Sequence, residues 1–279
     1  MSHAVPEPGL GRPPRRRVRV SWSSSGPIVL GAAGILASLV LWQLYSLLGP
    51  VDPEHLPPPT IVLRQFFLNL TYVQFWVAIG HTLWAWFLGL AVSAVAGFIA
   101  GLAIGSSRFL REATHSTIEF LRPIPSVGLI PLAALLFGPR IGSELMIIVY
   151  ACFWIVLIQV LYGIADIDKV ADDTVRTMRM GPKDRVKYLV FPTLLPYLVT
   201  GIRLTATVAL ILAISVELIV GTPGLGHEVA KAQINGSAPA LIALILTSGV
   251  FGISINAVMR FLERRVLFWH SSIRSEVAA

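Results

Sequence analysis

The sequence predicts an all-α integral membrane protein of six transmembrane helices, and three observations carry that class. Its 279 residues are 55% hydrophobic and only 13% charged, with a mean hydropathy of +0.74, whereas a soluble domain carries about 25% charge. The apolar residues fall in runs long enough to cross a bilayer, which takes ~20 residues. Of the 22 Lys and Arg residues, only Arg64, Arg140 and Lys231 fall in the segments that alternate with the basic ones. That asymmetry puts both termini in the cytoplasm and accounts for the pI near 10 without nucleic acid. The same composition excludes a soluble enzyme and a disordered chain. A single Cys152 excludes a disulfide framework and a cysteine metal site.

Residues 1–26 form a basic cytoplasmic tail with Arg12, Arg15, Arg16, Arg17 and Arg19. Residues 28–48 are uncharged and form the first span, within an anchor segment 27–48. That apolar run exceeds a signal-peptide h-region and no A-x-A-like site comes after it, so it reads as an uncleaved anchor. An extracytoplasmic segment covers 49–75. The second span, 76–105, has His81 as its only ionisable group and is long enough to tilt. The third, 124–138, is short and holds Pro125 and Pro131. The fourth is 145–164. The fifth, 194–220, is apolar except for Arg203 and Glu217, and the sixth, 240–259, ends at Arg260. The transmembrane core is therefore 76–262, with a cytoplasmic loop at 165–193 and a tail at 263–279.

Several side-chain patterns are informative. Gly89, Ser93, Gly97, Gly101 and Gly105 put a small residue at every fourth position of span two. They lie on one helix face, where a neighbouring backbone can approach closely. Pro123, Pro125 and Pro131, with Ser126 between them, predict a distorted segment; freed carbonyls in lipid need protein or water around them. Glu217 is the only carboxylate well inside a predicted span, and such acids mark pathways, gates or structural hydrogen bonds. No cluster of intramembrane Arg or Lys marks a fixed anion site. No histidines stand at metal-ligand spacing, and His115 with Glu119 makes an i,i+4 pair in a predicted cytoplasmic loop. G-x-x-x-x-G-K-[ST] and G-x-S-x-G are both missing from the sequence, so any energy comes from a gradient or from a partner.

The loop between spans four and five is charged, helix-forming and too long for a bare connection. Pro182 after Gly181 divides it into two short helices meeting at a turn. Asp173 and Asp184 lie among Arg176, Arg179, Lys183 and Arg185, a mixed-charge surface suited to orienting a protein partner.

Four segments in order resemble the permease subunit of bacterial ABC importers of the nitrate/sulfonate/taurine type, across roughly residues 56–262. They are Leu56-Pro57-Pro58-Pro59-Thr60-Ile61-Val62-Leu63; Ser107-Arg108-Phe109-Leu110-Arg111 with Leu121-Arg122-Pro123-Ile124-Pro125 and Ile130-Pro131-Leu132-Ala133 after it; the long loop ending Phe191-Pro192-Thr193-Leu194-Leu195-Pro196, with Gly201-Ile202-Arg203 beyond; and Val216-Glu217-Leu218-Ile219-Val220-Gly221 with Gly224-Leu225-Gly226. The resemblance implies a type I ABC importer permease fold. It also implies that the loop is the EAA coupling helix, with Asp173, Arg176, Thr177, Arg179, Gly181, Asp184 and Arg185 as its contacts. Its implied partners are two cytoplasmic ABC ATPases that bind the ATP, a second copy of the permease in a homodimer, and an extracytoplasmic solute-binding protein. The solute would be sulfonate-, nitrate-, taurine- or vitamin-precursor-like, with Pro123, Pro125, Ser126, Pro131 and Glu217 on the pathway and no cofactor on this chain. The loop departs from the family at Arg179, where glycine is usual, and at Asp173-Thr174-Val175, where Glu-Ala-Ala is usual. The alternatives are a gradient-driven secondary transporter or channel, which would need more intramembrane charge, and a membrane-embedded enzyme using His115 and Glu119.

Overall fold

The computed structural model describes residues 26–52 and 54–268; the basic tail before residue 26 and the tail beyond 268 lie outside them. Every regular element among the described residues is helical. Helix α1 (Gly26–Leu48) is nearly bare. Ser46 ties its end to the adjoining chain, its Oγ donating to the Leu56 carbonyl at 2.5 Å. Pro58-Pro59 opens the short α2 (Pro59–Asn69), consistent with the fixed φ of proline suiting a first turn. Helix α3 (Val73–Ser106) is 34 residues long, about 51 Å.

The structure gives the third segment a longer helical candidate. Residues 108–121, which hydropathy reads as loop, form a regular helix α4 (Arg108–Leu121). It runs on through a 3-10 turn (Ser126–Leu129) into α5 (Ile130–Phe137), and the two halves are bent by 77°. The five longer helices can each cross a membrane, and the bent pair makes up to six crossings. The hydropathy of 124–138 alone misses this because α4 is amphipathic: its charged residues share one face, and Phe109 and Phe120 lie opposite, 76% and 74% exposed.

Helix α6 (Ile141–Ala165) runs parallel to α3, and the small residues of α3 lie against it. Gly89, Gly97, Gly101 and Gly105 face Ile148, Val156, Val160 and Ile164, each 59 positions on, and Ser93 faces Cys152 at the same offset. A Cβ at Gly101 would stand 2.7 Å from Val160 Cβ, and one at Gly97 2.9 Å from Val156 Cβ. The stripe is therefore occupied by the chain's own helix and is not open to a second copy.

The predicted pair of loop helices is also revised. Helix α7 (Lys169–Thr177) is separate, but α8 (Pro182–Arg185) continues through a π-turn (Val186–Val190) into α9 (Phe191–Val220), one run of 39 residues. The π-turn precedes Pro192, where the wider turn accommodates a residue without an N–H. Trp86 Nε1 donates to the Ala206 carbonyl at 2.8 Å and locks α3 to α9. After α9, Gly221 takes φ +81°, a left-handed cap that glycine adopts without steric cost. The chain then folds back through α10 (Leu225–Ile234) into α11 (Ala238–Val266). Arg203 pairs with Glu263 of α11 at 3.2 Å.

Candidate functional site

The charged loop is built around a carboxylate that its sequence pattern does not single out. Asp168 caps α7, accepting from Val170 N at 2.7 Å. One turn on, Asp172 Oδ2 accepts from Arg176 Nη2 at 2.8 Å, and Oδ1 accepts from Arg185 Nε at 2.7 Å. The hydrogen bond from Arg185, reinforced by Arg176, holds the Asp172 carboxyl below the usual carboxylate range. The ion triad clamps α7 onto the root of the α8–α9 rod. Arg176 and Arg185 thus meet through Asp172. Asp173 lines an adjoining cavity of about 670 Å³ together with Arg176 and Arg185, while Thr177 Oγ1 donates to the Asp173 carbonyl. Arg179 and Asp184 are exposed at the tip, away from the triad.

The turn itself explains the departure at Arg179. Arg179 N donates to the Arg176 carbonyl at 3.0 Å and Met180 N to the Val175 carbonyl at 3.1 Å, the two bonds of a Schellman cap. That motif needs a left-handed residue, and Arg179 supplies it with φ +53°, the only positive φ on a non-glycine among the described residues. Gly181 is not the turn glycine: its φ of −66° is ordinary for any residue, and it caps α8.

The bent third segment borders a second cavity. Tyr150 OH, ten residues into α6, donates to the Leu121 carbonyl at 2.7 Å, so the top of α4 reaches the middle of a 25-residue span. Between α4 and the loop half of α6 lies a cleft of about 640 Å³ lined by Arg111, His115, Glu119 and Arg122 on one side and Ile158 and Leu161 on the other. Pro123 lines it too, but Pro125, Ser126 and Pro131 do not. Of the bend, Ile130 and Ala133 are core. Arg111 and Arg122 both border this cleft; hydropathy alone reads Arg122 as loop because it averages over the faces of α4.

At the opposite end, Glu217 is fully buried. Its Oε2 accepts from Gly226 N at 2.8 Å, and Thr82 Oγ1 of α3 accepts from Leu225 N at 2.9 Å. Both contacts satisfy free N–H groups of the first turn of α10, where a carboxylate also favours the helix dipole. A Cβ on Gly224 would collide with that carboxylate. Glu217 is not the only buried acid. Helix α6 begins four residues before the predicted span, and Glu144 in its first turn is 3% exposed, within electrostatic range of Glu217. Thr222 is also fully buried and lies within reach of Glu144. Among those residues no group of three or more His, Cys, Asp or Glu is placed to hold a metal.

Comparison with known proteins agrees with this geometry. Residues 93–268, more than half of the chain, match the family model of the binding-protein-dependent transport system inner membrane component. The taurine transport system permease protein TauC of Escherichia coli is 26% identical over 267 residues, covering 93% of this chain and 96% of that protein. The nitrate import permease protein NrtB of Synechocystis is 25% identical, covering 92% and 95%. A solved amino acid ABC transporter aligns with a TM-score of 0.60 at 17% identity, over 72% of this chain and 98% of that one. The inward-facing methionine transporter MetNI aligns at 0.57 and 17%, over 70% and 99%; these two likenesses show the fold. The chain belongs to the binding-protein-dependent transport system inner membrane component family: it is a multi-pass permease subunit of an ABC importer, forming the translocation pathway for a small solute and partnered by an ATPase.

Proposed function

We propose that this permease works as a homodimer on two cytoplasmic ATPases that bind the ATP, and that an extracytoplasmic binding protein delivers the solute. The end bearing the charged loop is the cytoplasmic one, both termini lie on that side, and the bent α4–α5 pair is the third of six crossings. The working unit is the core 76–262 with its loop 165–193, and the segment 27–48 is an accessory anchor. The observation that carries this reading is mechanical. Asp172 ties α7 to Arg185, and Arg185 stands near the start of a continuous 39-residue helical run. A force applied by an ATPase at the exposed tip is therefore delivered along one unbroken helical run into a spanning helix.

Relatives are named for taurine, nitrate, bicarbonate and aliphatic sulfonates, all solutes with an anionic oxygen group. This supports a small anion of the sulfonate, nitrate or taurine kind here, and an anionic vitamin precursor fits the same description. The test is charge reversal at Asp173 and Arg179, or deletion of 173–184, and then purification from the native membrane. Loss of the co-purified ATPase and of ATP-dependent uptake is the expected result. Retention of both by a loop-deleted chain would overturn the coupling assignment.

A further inference from the structure

The α4–α6 cleft has a charge arrangement that packing alone does not require. Counted along the helix, Arg111, His115, Glu119 and Arg122 recur every three or four residues, so they share one face. That face is turned toward α6, while Phe109 and Phe120 point away and stay exposed. His115 and Glu119 keep 67% and 71% of their side-chain surface exposed within this open cleft, so the charged face borders a wet space and not a packed interior. The opposite wall is Ile158, Leu161, Tyr162 and Ala165, on which the Tyr162 hydroxyl is the one polar side-chain group and no charge stands.

The charges on this face are unequally satisfied. His115 Nδ1 lies 3.5 Å from Glu119 Oε2, and Arg108 Nε lies 2.8 Å from Glu112 Oε1 nearer the loop end. Among the described residues neither Arg111 nor Arg122 has a carboxylate within salt-bridge distance. Two unpaired guanidiniums therefore stand three turns apart along one wall, the upper beside the Tyr150–Leu121 contact and the lower near the loop end. Guanidinium is the side chain best matched to the forked oxygens of sulfonate, nitrate or carboxylate.

We propose that this cleft is the wall this chain contributes to the inner half of the solute passage, and that Arg111 and Arg122 make it selective for oxyanions. The inference rests on the permease reading and adds to it a selecting position within the chain itself, beyond the choice made by a binding protein. Arg122 meets the anion at mid-membrane and Arg111 passes it on toward the cytoplasm. Each is a single monodentate or forked contact, strong enough to attract and weak enough to release.

Ile118 lines the same cleft, and Cys152 is fully buried, so Ile118→Cys introduces one accessible thiol. The full-length chain, with whatever subunits accompany it, is reconstituted in phosphatidylcholine vesicles. The thiol is then labelled with sulfonatoethyl methanethiosulfonate, whose sulfonate is the probe, or with its trimethylammonium counterpart. Rates are normalised to Lys183→Cys on the exposed loop, and the thermal unfolding midpoint of each variant reports that it is folded. The expected result is faster labelling by the anion, with the anion-to-cation ratio falling about tenfold when Arg111→Gln and Arg122→Gln are combined. A thiol that reacts with neither reagent means a dry cleft and overturns the proposal. A ratio unmoved by the arginine substitutions overturns it as well. Loss of the preference on adding phosphatidylglycerol assigns the arginines to a lipid headgroup and overturns the solute role. The assay uses neither ATP nor a binding protein, so failure of the ATPase-coupling reading would leave its outcome intact.

Discussion

Replacing Gly101 by alanine adds one methyl group at a close approach of the α3–α6 seam, against a side chain that branches at Cβ. Its Cβ would stand 2.7 Å from both Cβ and Cγ1 of Val160, whereas carbon atoms rest at about 3.5–4.0 Å. Val160 is fully buried, and a β-branched side chain in a helix has essentially one χ1 rotamer, so it cannot swing clear. The helices must separate by roughly 1 Å, an overpacking cost of about 1–3 kcal/mol. Trimming the neighbour, Val160→Ala, costs about as much by leaving a void. Combined, the two changes relieve each other, giving a coupling of about 0.5–3 kcal/mol. Gly80→Ala, in the same helix but with nothing within 4 Å, is the control and loses no stability, since alanine is the better helix former. Thermal unfolding of the purified chain in detergent reads all four variants. Equal midpoints for Gly101→Ala and Gly80→Ala, or strictly additive losses in the cycle, would refute the close-packed seam.

Three further perturbations probe the loop and the Glu217 end of the molecule. Arg179→Gly removes the left-handed penalty of an L-residue, about 1–2 kcal/mol, and slows amide exchange at Met180, whose N–H closes the cap; unchanged exchange would mean that the cap is not strained. The Asp172 carboxyl is held below its ordinary value, so its clamp is present above the unfolded value of about 3.9 and is lost as pH falls through the lower folded one. Spin labels on α7 and α9 therefore keep their separation across neutral pH and spread only in strong acid, whereas Asp172→Asn spreads them at neutral pH. Thr82→Val strands the buried Leu225 N–H, a loss of about 1–3 kcal/mol, which a thermal midpoint equal to that of the parent chain would contradict.

Much of the architecture is written in one dimension. Span four is a clean apolar run, and α6 extends only a few residues beyond it. The five-member small-residue stripe is legible from spacing because every fourth residue of a helix returns to the same face. The need for a tight partner comes with that spacing, but the partner's identity does not. Only the fold shows that α6 runs parallel to α3 at a constant offset of 59 residues and fills the stripe.

Where neighbours distant in sequence decide a residue's role, local patterns stop short. Asp172 and Asp173 are indistinguishable by composition. The first becomes the clamp because its helix face meets Arg185, thirteen positions on. Glu144 stands just outside an apolar window and is buried only because α6 begins earlier and packs against its neighbours. Helix α4 resembles a loop because hydropathy averages over all sides of a helix, and its charged face cancels its phenylalanines. A helical membrane protein, most of its spans, its charged loop and its family are legible from one dimension, since these depend on composition and on periods of a few residues. Three-dimensional packing adds that the end of the loop and α9 form one helical run, that Glu217 holds the start of α10, and that Arg111 and Arg122 share a cleft. Each of these is a meeting of side chains that no local period encodes.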